Sequence, residues 1–282
     1  MSKNIQAVEE TPNIKKVNID DLTLGDDYLF ATVMQNKELC KKLIERLLEI
    51  PDIKDIEYIG VEENYKHSYA SRGVRFDVFV KDQTDVAYVV EMQTTDTKEL
   101  ERRSRYYQSM IDSKQLKKGK KYSYKNLKDS YVIFICREDI FGNEQYRYSF
   151  ENTCSEVAAL KLNDGTYKIF FNTKGVYGNV SDDVKAFLQS IEGIKTDNAF
   201  ANEFKTQADE IKSNETWRES YMQSLLRDQD KFDAGIEQGI EQSIEQTILI
   251  LRELSTDEKL IATKIKEKFQ LSDEDVKKYL NS

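Results

Sequence analysis

GVRFDVFVKD, residues 73–82, and DVAYVVEMQT, residues 85–94, each alternate apolar and polar side chains and are joined by a short polar turn. That is the pattern of a β-hairpin. Side chains alternate between the two faces of a strand. Val74, Phe76, Val78 and Val80 are therefore expected on one face, and Arg75, Asp77 and Phe79 on the other. In the second strand Val86, Tyr88, Val90 and Met92 share a face, opposite Ala87, Val89, Glu91 and Gln93. With the turn centred on Thr84, Asp77 lies directly across from Glu91, their Cβ atoms about 5 Å apart. Two carboxylates so placed repel one another. A divalent cation between them reverses the sign of that interaction. Phe79, Ala87 and Val89 share the face, so it is not plainly solvent, and such a pair suits Mg²⁺, a hard ion that takes one or two carboxylates and several waters. The competing reading is an exposed strand end with incidental charge, and a slip of one residue in register would send the two acids to opposite faces.

The segment after the hairpin adds positive charge. Thr97 to about Lys114 has a helical pattern, in which Arg103 and Tyr107 are four apart and share a face that looks back at the strand ends. An arginine beside a pair of acids suits a phosphate; alternatively Arg103 pairs with Glu99 on the helix surface. Lys114, Lys117, Lys118, Lys120, Lys121, Lys125 and Lys128, interleaved with Tyr122 and Tyr124, form a loop suited to a nucleic-acid backbone, or an ordinary solvated loop. Residues 98–128 hold 11 Lys or Arg against the acids Glu99, Glu101 and Asp112, although the whole chain is acidic, with a net charge of −9.

Around this centre the chain reads as α/β. Helical patterns precede it, with Leu39, Leu43, Ile44, Leu47 and Leu48 on one stripe, Asn36 as N-cap and Pro51 as the stop. Ile56–Val61 is strand-like. His67, Ser68, Ser71 and Gly73 sit in a loop. After the lysine loop, SYVIFIC (130–136) is a nearly continuous apolar strand suited to a sheet interior; QYRYSF and TYKIFF are further strands, and Ser181 caps a helix running to about Ile191. The predicted organisation is a mobile polar arm over 1–19, a mixed sheet flanked by helices over 20–197, and an all-helical region over 198–282. Within the last, GIEQGIEQSIEQ repeats every four residues and sets Ile236, Ile240, Ile244 and Ile248 on a stripe that winds slowly round the helix. It is either a solvated helix with an apolar seam or a self-association surface. Two short helices follow, with Ser255 and Ser272 as N-cap candidates. Trp217 is expected to pack on the core.

The 282 residues, 39% hydrophobic and 11% aromatic, suffice for one large domain with an appendage or for two small ones. No apolar run approaches the roughly 20 residues of a membrane span, and the start has no signal-peptide pattern. Cys40, Cys136 and Cys154 form no CxxC pair, which argues against a disulfide framework and for a reducing cytoplasm. A single histidine, His67, removes most histidine metal sites and leaves one candidate for a Ser-His-Asp triad.

The ordered series VRFDVFV, turn, VVEMQ, ERRSRYYQSMID, LKKGKKYSYKNLKDSYVIFI resembles the PD-(D/E)XK nuclease superfamily, most of all its Rpn-type, transposase-associated branch of bacterial proteins. The preceding DDYLFATVMQNKELCKKLIERLL and the tail with its GIEQ-like helix are similar to the same branch. The resemblance spans Leu22 to Gly142 well and the C-terminal third loosely; the separate motifs are short, and their order and spacing carry the specificity. It implies a restriction-endonuclease-like core. It implies Asp77 as the metal-binding Asp, Glu91 as the acid of the (D/E)XK motif, and Met92 as a metal ligand through its backbone carbonyl. Gln93 occupies the place of the motif's lysine, as is often so in this branch. A neutral amide can orient water or phosphate only by hydrogen bonds; Lys98, Arg102 and Arg103 are the candidates for the missing charge. Asp27 is either a further acid facing the site or a first-turn helix acid. The implied activity is Mg²⁺-dependent (Mn²⁺ is possible) endonucleolytic hydrolysis of DNA, of a recombination-promoting type, with Arg103, Tyr107 and Lys117, Lys118, Lys120 and Lys121 on the nucleic acid. A homo-oligomer formed through the C-terminal helices is possible. The alternatives are a catalytically weak or inactive descendant that binds nucleic acid or protein, and hydrolysis of another phosphorylated substrate.

Overall fold

The structure, a computed structural model, describes residues 17–51, 53–65, 74–95, 98–115, 123–254 and 256–281; for 58–59, 61–65 and 74 it describes the backbone alone. The expected arm over 1–16, His67 and its loop, and Lys117, Lys118, Lys120, Lys121 and Tyr122 lie outside the described residues. The described end of the arm is ordered: Asn18 caps a single helical turn, Ile19–Asp21, and Ile19 is buried.

Six strands form one mixed sheet, β1 (Ile56–Tyr65), β2 (Val74–Asp82), β3 (Ala87–Gln93), β4 (Ser130–Cys136), β5 (Arg147–Phe150) and β6 (Thr166–Asn172), in the spatial order β1-β2-β3-β4-β6-β5. β3, β4 and β6 run parallel; the other pairs are antiparallel. β1 continues past the expected Val61 to Tyr65. Helices α1 (Asp27–Val33), α2 (Lys37–Leu48), α4 (Asp182–Ile191) and α5 (Ala199–Ser213) contribute to the core on one face, and α3 (Leu100–Gln115) to the core on the other. This is the mixed sheet flanked by helices expected from the sequence, with a helical C-terminal region.

The caps follow from the residues that begin each helix. Asp26, Asn36 and Ser181 accept N–H groups of the first turns of α1, α2 and α4, satisfying donors that have no partner within the helix. The hairpin turn is built the same way. The Asp82 carboxylate accepts from the Thr84 and Val86 amides, the Thr84 hydroxyl and the Tyr88 hydroxyl. Asp85 takes the left-handed conformation at φ 65°. β2 and β3 then pair Lys81 with Ala87, Val80 with Tyr88, Phe79 with Val89 and Val78 with Val90, the register centred on Thr84.

Two packing results depart from the sequence reading. Phe76 does not join Val78 and Val80; it packs with Phe79 and Tyr107 in the α3-side core, so the alternation of β2 lapses between Phe76 and Val78. The second concerns α5. Its Phe200, Phe204 and Ala208 are buried, with Phe204 against Phe187 of α4. The chain accordingly divides into a unit over Asn18–Arg218 and one that includes Glu219–Ser282, some twenty residues later than the boundary read at 198. Trp217, at the end of the first unit, packs against Tyr28 and donates to the Thr32 hydroxyl at 3.0 Å.

In the second unit, the end of α6 (Glu215–Glu253) packs with α7 (Glu258–Phe269) and α8 (Asp273–Asn281). Ile244 and Ile248 of the repeat are buried against Ile261, Ile265 and Val276, whereas Ile236 and Ile240 are 39% and 46% exposed. The N-cap of α7 is Asp257, whose carboxylate accepts the Lys259 amide; Ser255 lies outside the described residues. Ser272 does cap α8, accepting the Asp275 amide at 3.1 Å. Among the described residues no helix is long and apolar enough to cross a membrane.

Candidate active site

The paired part of the hairpin ends at Val78 and Val90, although both strands run on. Asp77 and Glu91, the next residues across, bind through side chains instead. The Asp77 amide donates to Glu91 Oε1 at 2.9 Å, and the Met92 amide donates to Asp77 Oδ2 at 2.9 Å. Each acid thus ties the opposite strand where the backbone ladder stops. Alternate residues of a strand direct their backbone groups to opposite neighbours. Gln93 carbonyl accepts from Arg137 of the β4 side, so Met92 directs its N–H, and with it its carbonyl, toward β2 and Asp77.

Glu91 is fully buried and Asp77 half-buried. Glu91 Oε2 accepts from Arg103 Nη2 at 2.7 Å and from the Tyr107 hydroxyl at 3.2 Å. Arg103 also donates through Nη1 to Gln93 Oε1 at 2.9 Å and through Nε to Tyr107 Oη at 2.7 Å. Its guanidinium faces the Tyr107 and Phe134 rings, 5.1 and 5.6 Å from their centroids. Phe134 is the β4 neighbour of Glu91 in the parallel register, and Phe76 closes edge-on against Tyr107 at 4.9 Å. The aromatic side chains help to bury Glu91, and α3 brings the cation to it.

That environment sets the proton affinities. Burial pushes both carboxyls up, Asp77 to about 7 and Glu91 to about 8. Hydrogen bonds from the backbone and Arg103 hold them down, while the charge of Asp77 raises Glu91 further. Asp27 also raises Asp77, so its charge is felt at the site; its carboxylate meanwhile accepts the Tyr28 amide in the first turn of α1. Burial raises the Tyr107 hydroxyl, which therefore remains a donor to Glu91.

Asp77, Glu91, Gln93, Arg103 and Tyr107 are thus brought together. Of Lys98, Arg102 and Arg103, it is Arg103 that bonds to Glu91 and Gln93; its side chain goes there and not to Glu99. The Gln93 amide, expected to orient water, is engaged with Arg103 on one side and donates to the Thr95 carbonyl at 2.5 Å on the other. Two side chains were missed, Phe76 and Phe134; the signal for Phe134 is its place in the apolar run of residues 130–136 beside β3. Tyr124 of the lysine loop is 84% exposed.

Among the described residues no three His, Cys, Asp or Glu side chains are grouped to hold a metal. The donor set that is present, the buried carboxyl of Glu91 and the half-buried one of Asp77 whose charge favours protonation of Glu91, has the chemistry of a site for one hard divalent ion with water completing its shell.

A family model described as a PD-(D/E)XK nuclease family transposase matches residues 26–216. No curated protein and no solved structure matches the chain.

Proposed function

The chain belongs to the PD-(D/E)XK nuclease transposase family, and from that premise we propose that it is a metal-dependent DNA endonuclease acting at Asp77 and Glu91. The observation that carries the proposal is the crossed bonding of these acids beyond the end of the β2–β3 ladder, in surroundings that raise the proton affinity of both. A buried acid pair of this kind costs stability; a cation-binding task accounts for it.

Asp77 and Glu91 would hold Mg²⁺ or Mn²⁺, with Met92 contributing its carbonyl. When bound, that ion supplies positive charge for the phosphate and makes water more acidic. Tyr107 orients Glu91 by donating to Oε2, and Gln93 holds Arg103. The lysines at 117, 118, 120 and 121 complete the proposal as backbone contacts, without base reading. DNA recombination is the process this activity would serve, in the cytoplasm, with self-association through the C-terminal helices.

The second reading is a catalytically weak or silent protein that binds nucleic acid or a protein partner. The observation in its favour is that Arg103 already neutralises Glu91. Plasmid cleavage separates the two. The nuclease reading expects supercoiled DNA to be nicked with Mg²⁺ or Mn²⁺ and Asp77→Ala to abolish this. Equal cleavage by both proteins refutes the site, and binding without cleavage supports the second reading.

A further inference from the structure

Residues 222–243 of α6 run between the buried Tyr221 and Ile244 with no buried residue of their own. At the rise of an α-helix this is a rod about 33 Å long. Its sequence does not favour a lone helix. Gly235 and Gly239 weaken a helix interior. Asp233, Glu237, Glu241 and Glu245 follow one another at intervals of four, where like charges repel. No Lys or Arg lies between Phe232 and Leu251 to offset them. A Cβ at Gly235 or Gly239 would meet nothing within 4 Å among the described residues, so the chain's own packing does not ask for glycine there. Helices without tertiary packing are marginal in water, and the order of this one calls for something that covers it.

The face to be covered has a definite chemistry. Phe232, Ile236 and Ile240 are 39%, 39% and 46% exposed. Each is followed by an acid, Asp233, Glu237 and Glu241, about 100° further round the helix. The two isoleucines are each preceded by a glycine, on the other flank. A second copy of α6 would add four more acids and no cation to this surface. We infer that this face of α6 docks a basic amphipathic helix of a protein partner. The partner's apolar side chains lie over Phe232, Ile236 and Ile240, its backbone comes close at Gly235 and Gly239, and its Lys or Arg side chains pair with the three acids. The self-association proposed above is left to the other end of the unit, where Leu249, Ile250 and Leu254 of α6 and Leu260 of α7 are 49% to 71% exposed.

The probe is a fluorescent three-heptad peptide with Leu at the a and d positions and Lys at e and g, whose own charges oppose its self-pairing. One control peptide has Glu in place of Lys, another Ser in place of Leu. Anisotropy with the full chain is expected to show binding of the lysine peptide and of neither control, and hydrogen exchange is expected to slow over residues 222–243. Asp233→Asn, Glu237→Gln and Glu241→Gln combined weaken binding about 10-fold at low salt, and less at high salt. The same three changes raise helicity by circular dichroism, because they remove like-charge repulsion. Weaker binding by a better-formed helix is not the mark of a folding defect. Ile236→Ser with Ile240→Ser weakens binding about 10- to 100-fold and leaves hydrogen exchange over α7 and α8 unchanged. Equal binding by wild type and the acid-neutralised variant overturns the inference, as does a glutamate peptide that binds as well as the lysine peptide, or no binding at all. Exchange already slow over 222–243 in the chain alone, under conditions where sedimentation shows a dimer, assigns the face to a second copy and overturns it too.

Discussion

Asp77 and Glu91 are joined through the main chain against the repulsion of their charges: Glu91 Oε1 accepts the Asp77 amide, and Asp77 Oδ2 accepts the amide of Met92, the residue after Glu91. The acids are held close where mutual repulsion would part them, and Arg103 offsets the charge of one.

The raised proton affinity of the pair fixes a pH dependence. In the unfolded chain the carboxyls titrate near 3.8 and 4.5; in the folded chain they are pushed up to about 7 and about 8. Between these limits the folded state binds more protons than the unfolded one, so this contribution to stability is present at low pH and lost as pH rises through the folded values. Glu91→Gln cannot ionise. Urea midpoints from pH 5 to 8.5, without divalent ions, are expected to show the wild type losing stability relative to Glu91→Gln as pH rises. A difference that is flat, or that grows the other way, contradicts the electrostatic account.

Asp82 fixes the register on which the acids depend. It is 3% exposed and accepts four hydrogen bonds from the turn and from Tyr88. Asp82→Ala leaves those donors unpaired and is expected to cost about 2–3 kcal/mol. Chemical denaturation checks it; a cost below about 0.5 kcal/mol would be that of a surface change, not of a turn anchor.

The isoleucine stripe divides in two. Ile244 is fully buried, Ile236 is 39% exposed. Ile244→Ala is expected to destabilise the C-terminal unit by about 2–5 kcal/mol, and Ile236→Ala to stay within about 0.5 kcal/mol. Hydrogen exchange over α7 and α8 measures the difference. Equal effects would mean that Ile236 is covered in solution, as by a second copy.

Phe204 tests the division of the chain. It is fully buried in the sheet-bearing unit, against Phe187 and Phe200, so Phe204→Ala is expected to cost about 3–5 kcal/mol in the main unfolding transition. An unchanged main transition would place α5 outside that core.

Much of the hairpin is legible in the sequence because strand alternation and a polar turn leave one register that buries both apolar sets, and that register opposes Asp77 to Glu91. The Arg103–Tyr107 pair is legible from helical spacing. The lapse at Phe76 is not, because a period of two assumes a regular pleat, whereas here carboxylates replace the ladder at the next residue. The engagement of Gln93 by Arg103 depends on the tertiary placement of α3, which spacing does not supply. α5 reads as a polar helix since its apolar residues, Phe200, Phe204 and Ala208, occupy one narrow stripe among charges.

The central claim is that Asp77 and Glu91 together hold a divalent ion. Titration of the full chain with Mn²⁺ by calorimetry at pH 8, beside Asp77→Asn and Glu91→Gln, measures it directly. The account predicts one ion per wild-type chain and loss of that binding in both variants. Binding of equal strength in all three proteins, or none in the wild type, contradicts it.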